Sequence, residues 1–162
     1  MFVFGVYFTL GIMNEEEDRT SAIGLARYAR EYYDAAIAAD NVIGHRKGYE
    51  IVAPAPVMFL IAHAIELALK GYLRWKGVNL GGLKKVGHNL EACWVAACEH
   101  GITEHVSLSD EELGILRLTS DLHSSTELRY IQTGYKQFPV FGPLQQMSAK
   151  VLNTVCPLVG FK

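Results

Sequence analysis

The segment that most constrains the fold is residues 56–75, PVMFLIAHAIELALKGYLRW, which is apolar on most sides of a helix. Pro54 and Pro56 suit a helix start, and the glycine-containing stretch 77–87 is predicted to be a loop. A helix with apolar residues around most of its circumference is buried, either in the middle of a bundle or at a subunit interface. Its few charged side chains disfavour a membrane span. We therefore expect a soluble helical protein built around this segment.

Apolar spacing and capping signals predict four further helices. The first is expected over residues 14–44 and the third over residues 88–101. Ser109 and Glu112 have the spacing of a capping box that opens the next helix. Gly142 and the following proline suit the start of the last helix. With short connections between them, these helices predict an all-α fold, a four- to five-helix antiparallel bundle.

Residues 1–12 are apolar and carry no charge. The stretch is shorter than the ~20 residues that a spanning helix needs. It also lacks the positive start and the small-residue cleavage site of a secretory signal. Two interpretations stay open: residues 1–13 are an apolar arm that packs on this subunit or a partner, or they are a spurious extension from an upstream start codon. Residues 14–162 are expected to form a single domain.

Charge and cysteine content exclude several classes of protein. A formal net charge of −2 gives no bulk attraction to nucleic acid or to an anionic membrane, so any RNA binding requires a local basic patch. The three cysteines, Cys93, Cys98 and Cys156, include no Cys-x-x-Cys pair and do not suggest a disulfide framework or a zinc knuckle. We expect buried thiols in a reducing cytoplasm and no contact with a membrane.

A polar stripe interrupts the apolar segment. His63, Glu66 and Lys70 are three and four residues apart, which places all three on one face of the predicted helix. Because an unpaired charge is costly to bury, these side chains should be paired with something. The pattern is typical of a structural polar network between helices; the alternative is part of a binding or catalytic site.

Two motifs resemble the HEPN family (higher eukaryotes and prokaryotes nucleotide-binding) of small helical domains. One is His63-Ala64-Ile65-Glu66-Leu67-Ala68-Leu69-Lys70, and the other is Gly87-His88-Asn89-Leu90; the later Leu128-Arg129-Tyr130 is also similar to a segment of many bacterial members. The resemblance covers about half of the chain. It implies a HEPN-like bundle of four or five helices, usually a homodimer, often connected with RNA or with defence systems.

The resemblance also points to a pair of catalytic candidates. Ribonucleases of the family carry an arginine followed, after four to six residues, by a histidine, and here Arg117 and His123 have five residues between them. Histidine can move a proton from a ribose hydroxyl while arginine holds the phosphate. Leu118 stands where the family often has a polar residue, and six positions place the two side chains ~120° apart on a straight helix. A surface arginine and a histidine near a helix end are the alternative.

His88 and the remaining histidines are candidate ligands for an anion or a metal. His88 follows a glycine at a predicted helix start, where it either binds an anion or caps the helix, and we expect the cap. No His-x-x-x-His or Glu-x-x-His pair recurs on two helices, so the sequence predicts no metal and no cofactor.

Three functional hypotheses follow, and the sequence leaves open whether the protein is an enzyme. The leading one is a HEPN-like binding or regulatory module, homodimeric and associated with RNA or a nucleotide, whose polar cluster is His63, Glu66, Lys70 and His88. The second is a metal-independent endoribonuclease of the toxin or defence type that uses Arg117 and His123. The third is an inactive structural subunit that binds a partner protein.

Overall fold

The fold is given by a computed structural model that describes residues 19–130 and 133–162. Within these residues the secondary structure is entirely helical. The helices are α1 (Ala22–Ala39), α2 (Ala55–Trp75), α3 (Leu80–Val86), α4 (Leu90–Glu99), α5 (Asp110–Ser124) and α6 (Phe141–Leu158). The all-α class is therefore confirmed. The predicted N-cap Asn14 and the arm of residues 1–13 lie outside the described residues.

Helix α2 forms the centre of the structure. It contacts α1, α4, α5 and α6, and its apolar side chains, such as Ile61, Ile65 and Leu69, have no exposed surface. A helix this apolar was expected either in the middle of a bundle or at a subunit interface, and α2 lies in the middle of the protein. Helix α2 is long and apolar enough to cross a bilayer, but 67% of its most apolar window is buried inside the protein.

Small residues bring α1 and α2 close together. Ala26, Ala29 and Ala36 of α1 are fully buried, and a Cβ added to Gly71 of α2 would lie 3.3 Å from the carbonyl oxygen of Ala22. Side chains this small allow two helices to pack with their axes at the short end of the usual range of interaxial distances. The polar stripe of α2 is thereby held at a fixed distance from α1.

The first helix differs from its predicted bounds. Ser21 has extended backbone angles and its Oγ accepts a hydrogen bond from the amide of Gly24 at 3.1 Å, so α1 begins here rather than running unbroken from residue 14. Serine is a favoured N-cap because its hydroxyl satisfies a free amide of the first turn. The predicted end near Gly44 is correct, since α1 continues directly into a short π-helix, Asp40–Gly44.

The predicted loop 77–87 is wrong, because it contains α3. Asn79 caps this helix by accepting from the amide of Gly82 at 2.9 Å, and Leu83 is buried beneath it. The helix ends at Gly87, whose φ of +61° is a conformation that glycine adopts at little cost. This turn directs the chain toward His88 and the start of α4.

The later helices agree with their signals. Ser109 Oγ accepts from the amide of Glu112 at 3.2 Å, and the Glu112 carboxylate accepts from the amide of Ser109 at 2.8 Å, which confirms the capping box. Helix α6 begins at Phe141, one residue before the predicted start, and packs on α1, α2 and α5.

Candidate functional site: a buried carboxylate surrounded by imidazoles

Glu66 is the centre of the candidate site. Its side chain is only 3% exposed, and it projects from the middle of α2. Lys70 Nζ donates to Oε1 at 2.7 Å, and His123 Nε2 donates to Oε2 at 2.6 Å. His88 Nδ1 lies 3.1 Å from both carboxylate oxygens, and His63 Nδ1 lies 3.7 Å from Oε2, beyond hydrogen-bond distance. We call Glu66 with these four side chains the Glu66 cluster.

The cluster keeps the carboxyl group ionised. Burial by itself would raise the pKa of Glu66, but the hydrogen bonds and the positive charge around it lower that pKa far below its ordinary value. His123 makes the largest of these opposing contributions, and Lys70 adds both a hydrogen bond and a positive charge. A carboxylate that accepts several hydrogen bonds in a partly dry site holds its charge over the whole pH range in which proteins work.

Helix α5 and the turn before α4 bring two histidines to α2. His123 is in the last turn of α5 and its side chain is fully buried. Ser120, one turn earlier, has a buried Oγ that accepts from the amide of Leu90 at 2.9 Å and donates to Asn89 Oδ1 at 3.2 Å. Through Ser120, α5 fixes the start of α4 and so the position of His88. Sequence reasoning missed this residue, since a serine within a helix carries no signal of such a role.

The ring of His63 is held between two aromatic side chains. Phe59, one turn earlier on α2, is stacked on it with a centroid distance of 6.0 Å. Tyr32 of α1 meets it edge to face at 4.6 Å. These contacts fix the imidazole with Nδ1 toward Glu66, and this nitrogen is buried without a hydrogen-bond partner among the described residues.

The solvent side of the cluster carries aromatic and cationic groups. The side chain of His88 is 56% exposed and that of His63 is 24% exposed. The guanidinium of Arg129 lies 5.7 Å from the centroid of the Phe59 ring. Tyr130, which follows directly, is 71% exposed. Exposed imidazole, guanidinium and aromatic rings are the groups that contact phosphates and stack on bases.

The structure brings together five of the six residues singled out in the sequence and leaves the sixth apart. His63, Glu66, Lys70, His88 and His123 form the Glu66 cluster. Arg117 is 62% exposed on another side of α5, where its Nε donates to Glu91 Oε1 at 2.8 Å. Within one chain, the side chains of Arg117 and His123 therefore do not meet at a site where both could contact one phosphate group.

His88 does not act as the helix cap that the sequence predicted. Its neighbour Asn89 is the N-cap of α4, with Oδ1 accepting from the amide of Ala92 at 2.8 Å. Asparagine is the better cap because its short side chain reaches the free amides of the first turn. His88 is thereby left to reach Glu66 across the gap between the helices.

The hydrogen bond of His123 indicates which of its ring nitrogens carries a proton. His123 uses Nε2 to donate to Glu66, and its Nδ1 is buried with no partner in the described ranges 19–130 and 133–162. A neutral ring with its proton on Nε2 leaves only a lone pair unmatched, whereas a protonated ring would bury an unpaired N–H. We therefore assign the neutral Nε2–H tautomer to His123. Its position suits holding Glu66 in place better than contacting a substrate.

Searches of protein-family models, of curated proteins and of solved structures found no match to the chain. The HEPN-like assignment therefore stays a prediction.

Proposed function

We propose that the chain is a HEPN-like helical module that acts in the cytoplasm as a homodimer and binds RNA without cleaving it. The observation that carries this proposal is the convergence of the two HEPN-like motifs. Glu66 and Lys70 from the first motif and His88 from the second meet at one carboxylate, although more than twenty positions separate them in the chain. This convergence supports the proposal, because one site formed by both motifs requires these side chains to meet.

The surface that we assign to RNA is the solvent side of the Glu66 cluster. His88 and Arg129 offer donors to phosphate oxygens, and Tyr130 offers an exposed ring for base stacking. The pairing of Glu66 with Lys70 leaves little negative charge on this side to repel a phosphate. A local patch of this kind is what a chain with a net charge of −2 needs to bind nucleic acid.

Binding without catalysis agrees better with the geometry than cleavage does. Proton transfer from a ribose hydroxyl requires a histidine within hydrogen-bond reach of the substrate. His123 is fully buried and already bonded to Glu66, while Arg117 is engaged with Glu91 elsewhere. The ribonuclease hypothesis would need both residues at one phosphate.

The surface that we assign to self-association is an apolar groove of about 290 Å³ between α4 and α5. Trp94, Val95 and Leu113 are among its lining residues, and Val95 is 51% exposed. Glu99 and Arg117 lie at the same groove. Arg117 is already paired with Glu91, so the apolar side chains of the groove are what a second copy related by a two-fold axis would cover.

Fluorescence anisotropy with a labelled single-stranded RNA tests the binding proposal. We expect saturable binding at low salt that weakens by about tenfold in Arg129→Ala and in His88→Ala, since a good contact is worth ~1–3 kcal/mol. Arg27→Ala is the matched control, because the Arg27 guanidinium also lies over an aromatic ring, 4.8 Å from the centroid of Tyr28, but on α1 away from the Glu66 cluster. Equal affinities of Arg129→Ala and Arg27→Ala would contradict the assignment. RNA cleavage that disappears in Arg117→Ala would favour the ribonuclease.

Gel filtration with light scattering tests the dimer. We expect the wild-type chain to elute as a dimer and Val95→Asp to elute as a monomer, because a charge in the groove opposes its burial. Val42→Asp is the control, since Val42 is 72% exposed and lies outside the groove. A monomeric wild type, or a dimer that survives Val95→Asp, would refute the assigned interface.

A further inference from the structure

Three side chains of the Glu66 cluster have the chemistry and the spacing of metal ligands. His63, Glu66 and His123 each offer one ligand atom, and these atoms all lie within 4.8 Å of one another. We propose that these three residues bind a transition-metal dication, with Zn²⁺ as the best match. Two imidazole nitrogens and one carboxylate oxygen are a known zinc donor set, one that leaves a further coordination position. This proposal departs from the expectation of no metal and does not rest on RNA binding.

To bind one ion, ligand atoms that are now separated by up to 4.8 Å must reach separations of roughly 3.3 Å. Zinc bonds of about 2.0–2.2 Å to nitrogen and oxygen place neighbouring tetrahedral ligand atoms roughly 3.3 Å apart. His63 Nδ1 and Glu66 Oε2 are 3.7 Å apart, and His123 Nε2 and the same oxygen are 2.6 Å apart. The first pair must close slightly and the second must open, with the metal replacing the Nε2 proton of His123.

The environment of His63 favours a ligand role. Its Nδ1 is buried, faces Glu66 and makes no hydrogen bond within the described part of the chain. Phe59 and Tyr32 fix the ring, so little side-chain freedom remains to be lost when a metal binds. A metal ion would give this nitrogen the partner that the described residues do not supply.

Lys70 determines how the carboxylate would bind and how tightly. Its Nζ holds Oε1 at 2.7 Å, which leaves Oε2 as a single donor to the metal. The ammonium also repels a dication, since both charges lie on the same carboxylate. We therefore expect weaker binding than in structural zinc sites. Removing the lysine charge while keeping a hydrogen-bond donor, as in Lys70→Gln, should tighten binding.

His88 lies at the solvent side of the proposed site. Its Nδ1 lies 3.1 Å from both oxygens of Glu66, and its exposed ring is on the solvent side. A metal held by the other three residues would therefore be reached from the surface past His88. Three protein ligands and one water molecule give a tetrahedral site, which has a spectroscopic signature with Co²⁺.

The test uses the full chain, stripped with a chelator and titrated with Co²⁺ and Zn²⁺ in the absence of RNA. We expect one equivalent of Co²⁺ with visible bands typical of tetrahedral coordination, displaced by one equivalent of Zn²⁺, and a rise in Tm with Zn²⁺ concentration. His63→Gln should lose these effects, and Lys70→Gln should bind Zn²⁺ at least about tenfold tighter.

His105→Gln is the matched control, because His105 also packs on aromatic rings but lies outside the cluster. It should bind the metals like the wild type. Circular dichroism would verify that each variant is folded, and His63→Gln should fold because Nδ1 makes no hydrogen bond. Absence of the Co²⁺ bands, or bands that persist in folded His63→Gln, would overturn the metal site. Because RNA is absent, this result would leave the RNA-binding proposal standing.

Discussion

Replacement of Glu66 by glutamine should be one of the most destabilising single changes in this protein. The variant removes a buried charge but keeps the volume of the side chain. Lys70, only 14% exposed, loses its ionic partner, and the amide can no longer accept the bonds from both Lys70 and His123. Hydrogen bonds to charged groups are worth about 1.5–3 kcal/mol each, and breaking a buried ion pair by removing one partner costs about 3–5 kcal/mol. We therefore expect a loss of about 3–5 kcal/mol in the free energy of unfolding.

Urea denaturation followed by circular dichroism measures this loss. With an m-value of about 2 kcal/mol per molar, the midpoint should fall by roughly 1.5–2.5 M urea. The measurement is made at pH 7 with a chelator present, so that metal binding does not contribute. Glu31→Gln is the control, because the Arg27–Glu31 pair is exposed and lies outside the assigned dimer groove, and its loss should cost under about 1 kcal/mol.

The double variant Glu66→Gln/Lys70→Met isolates the cause. If the stranded ammonium accounts for most of the loss, the double variant should be more stable than Glu66→Gln alone by at least about 1 kcal/mol. A loss in Glu66→Gln no larger than in Glu31→Gln would refute the reasoning that Glu66 holds the cluster together.

Three further predictions concern packing, pH and thiol reactivity. Gly71→Ala should lower the free energy of unfolding by about 1–2 kcal/mol, because the new methyl group meets the backbone of α1. Gly114→Ala should raise it by about 0.5–1 kcal/mol, because its methyl group meets nothing within 4 Å. Equal urea midpoints of the two variants would contradict this prediction. Burial raises the pKa of Glu112, but hydrogen bonds from Lys150 and from the capping box outweigh it and lower that pKa. Glu112 should therefore add about 1 kcal/mol of stability above its unfolded pKa of 4.5, and this stability should be lost as the pH falls through the folded pKa. In thermal melts, the Tm values of the wild type and of Glu112→Gln should converge toward pH 2. Burial raises the pKa of the Cys93 thiol to about 12, so Cys93→Ala should leave the number of thiols that react with Ellman's reagent under native conditions unchanged; a lower count would show that Cys93 is accessible.

The sequence predicted the helices whose signals are local. The proline before α2, the capping box of Ser109 and Glu112, and the glycine at the end of the first helix each act within one turn of the residues that carry them. The prediction was wrong where a residue that caps a helix was not recognised. Ser21 interrupts the first helix, and Asn79 with the buried Leu83 forms α3 inside a stretch interpreted as a loop.

What the sequence by itself determined was the face of α2 on which His63, Glu66 and Lys70 lie, because helical periodicity fixes which side chains share a side. What only the tertiary structure decided was which groups complete that face. His88 and His123 reach Glu66 because a turn at Gly87 and the packing of α5 place them there, while the same helix turns Arg117 away toward Glu91. The physical reason is that periodicity acts over a few residues, whereas the pairing of a buried charge depends on which helices pack together.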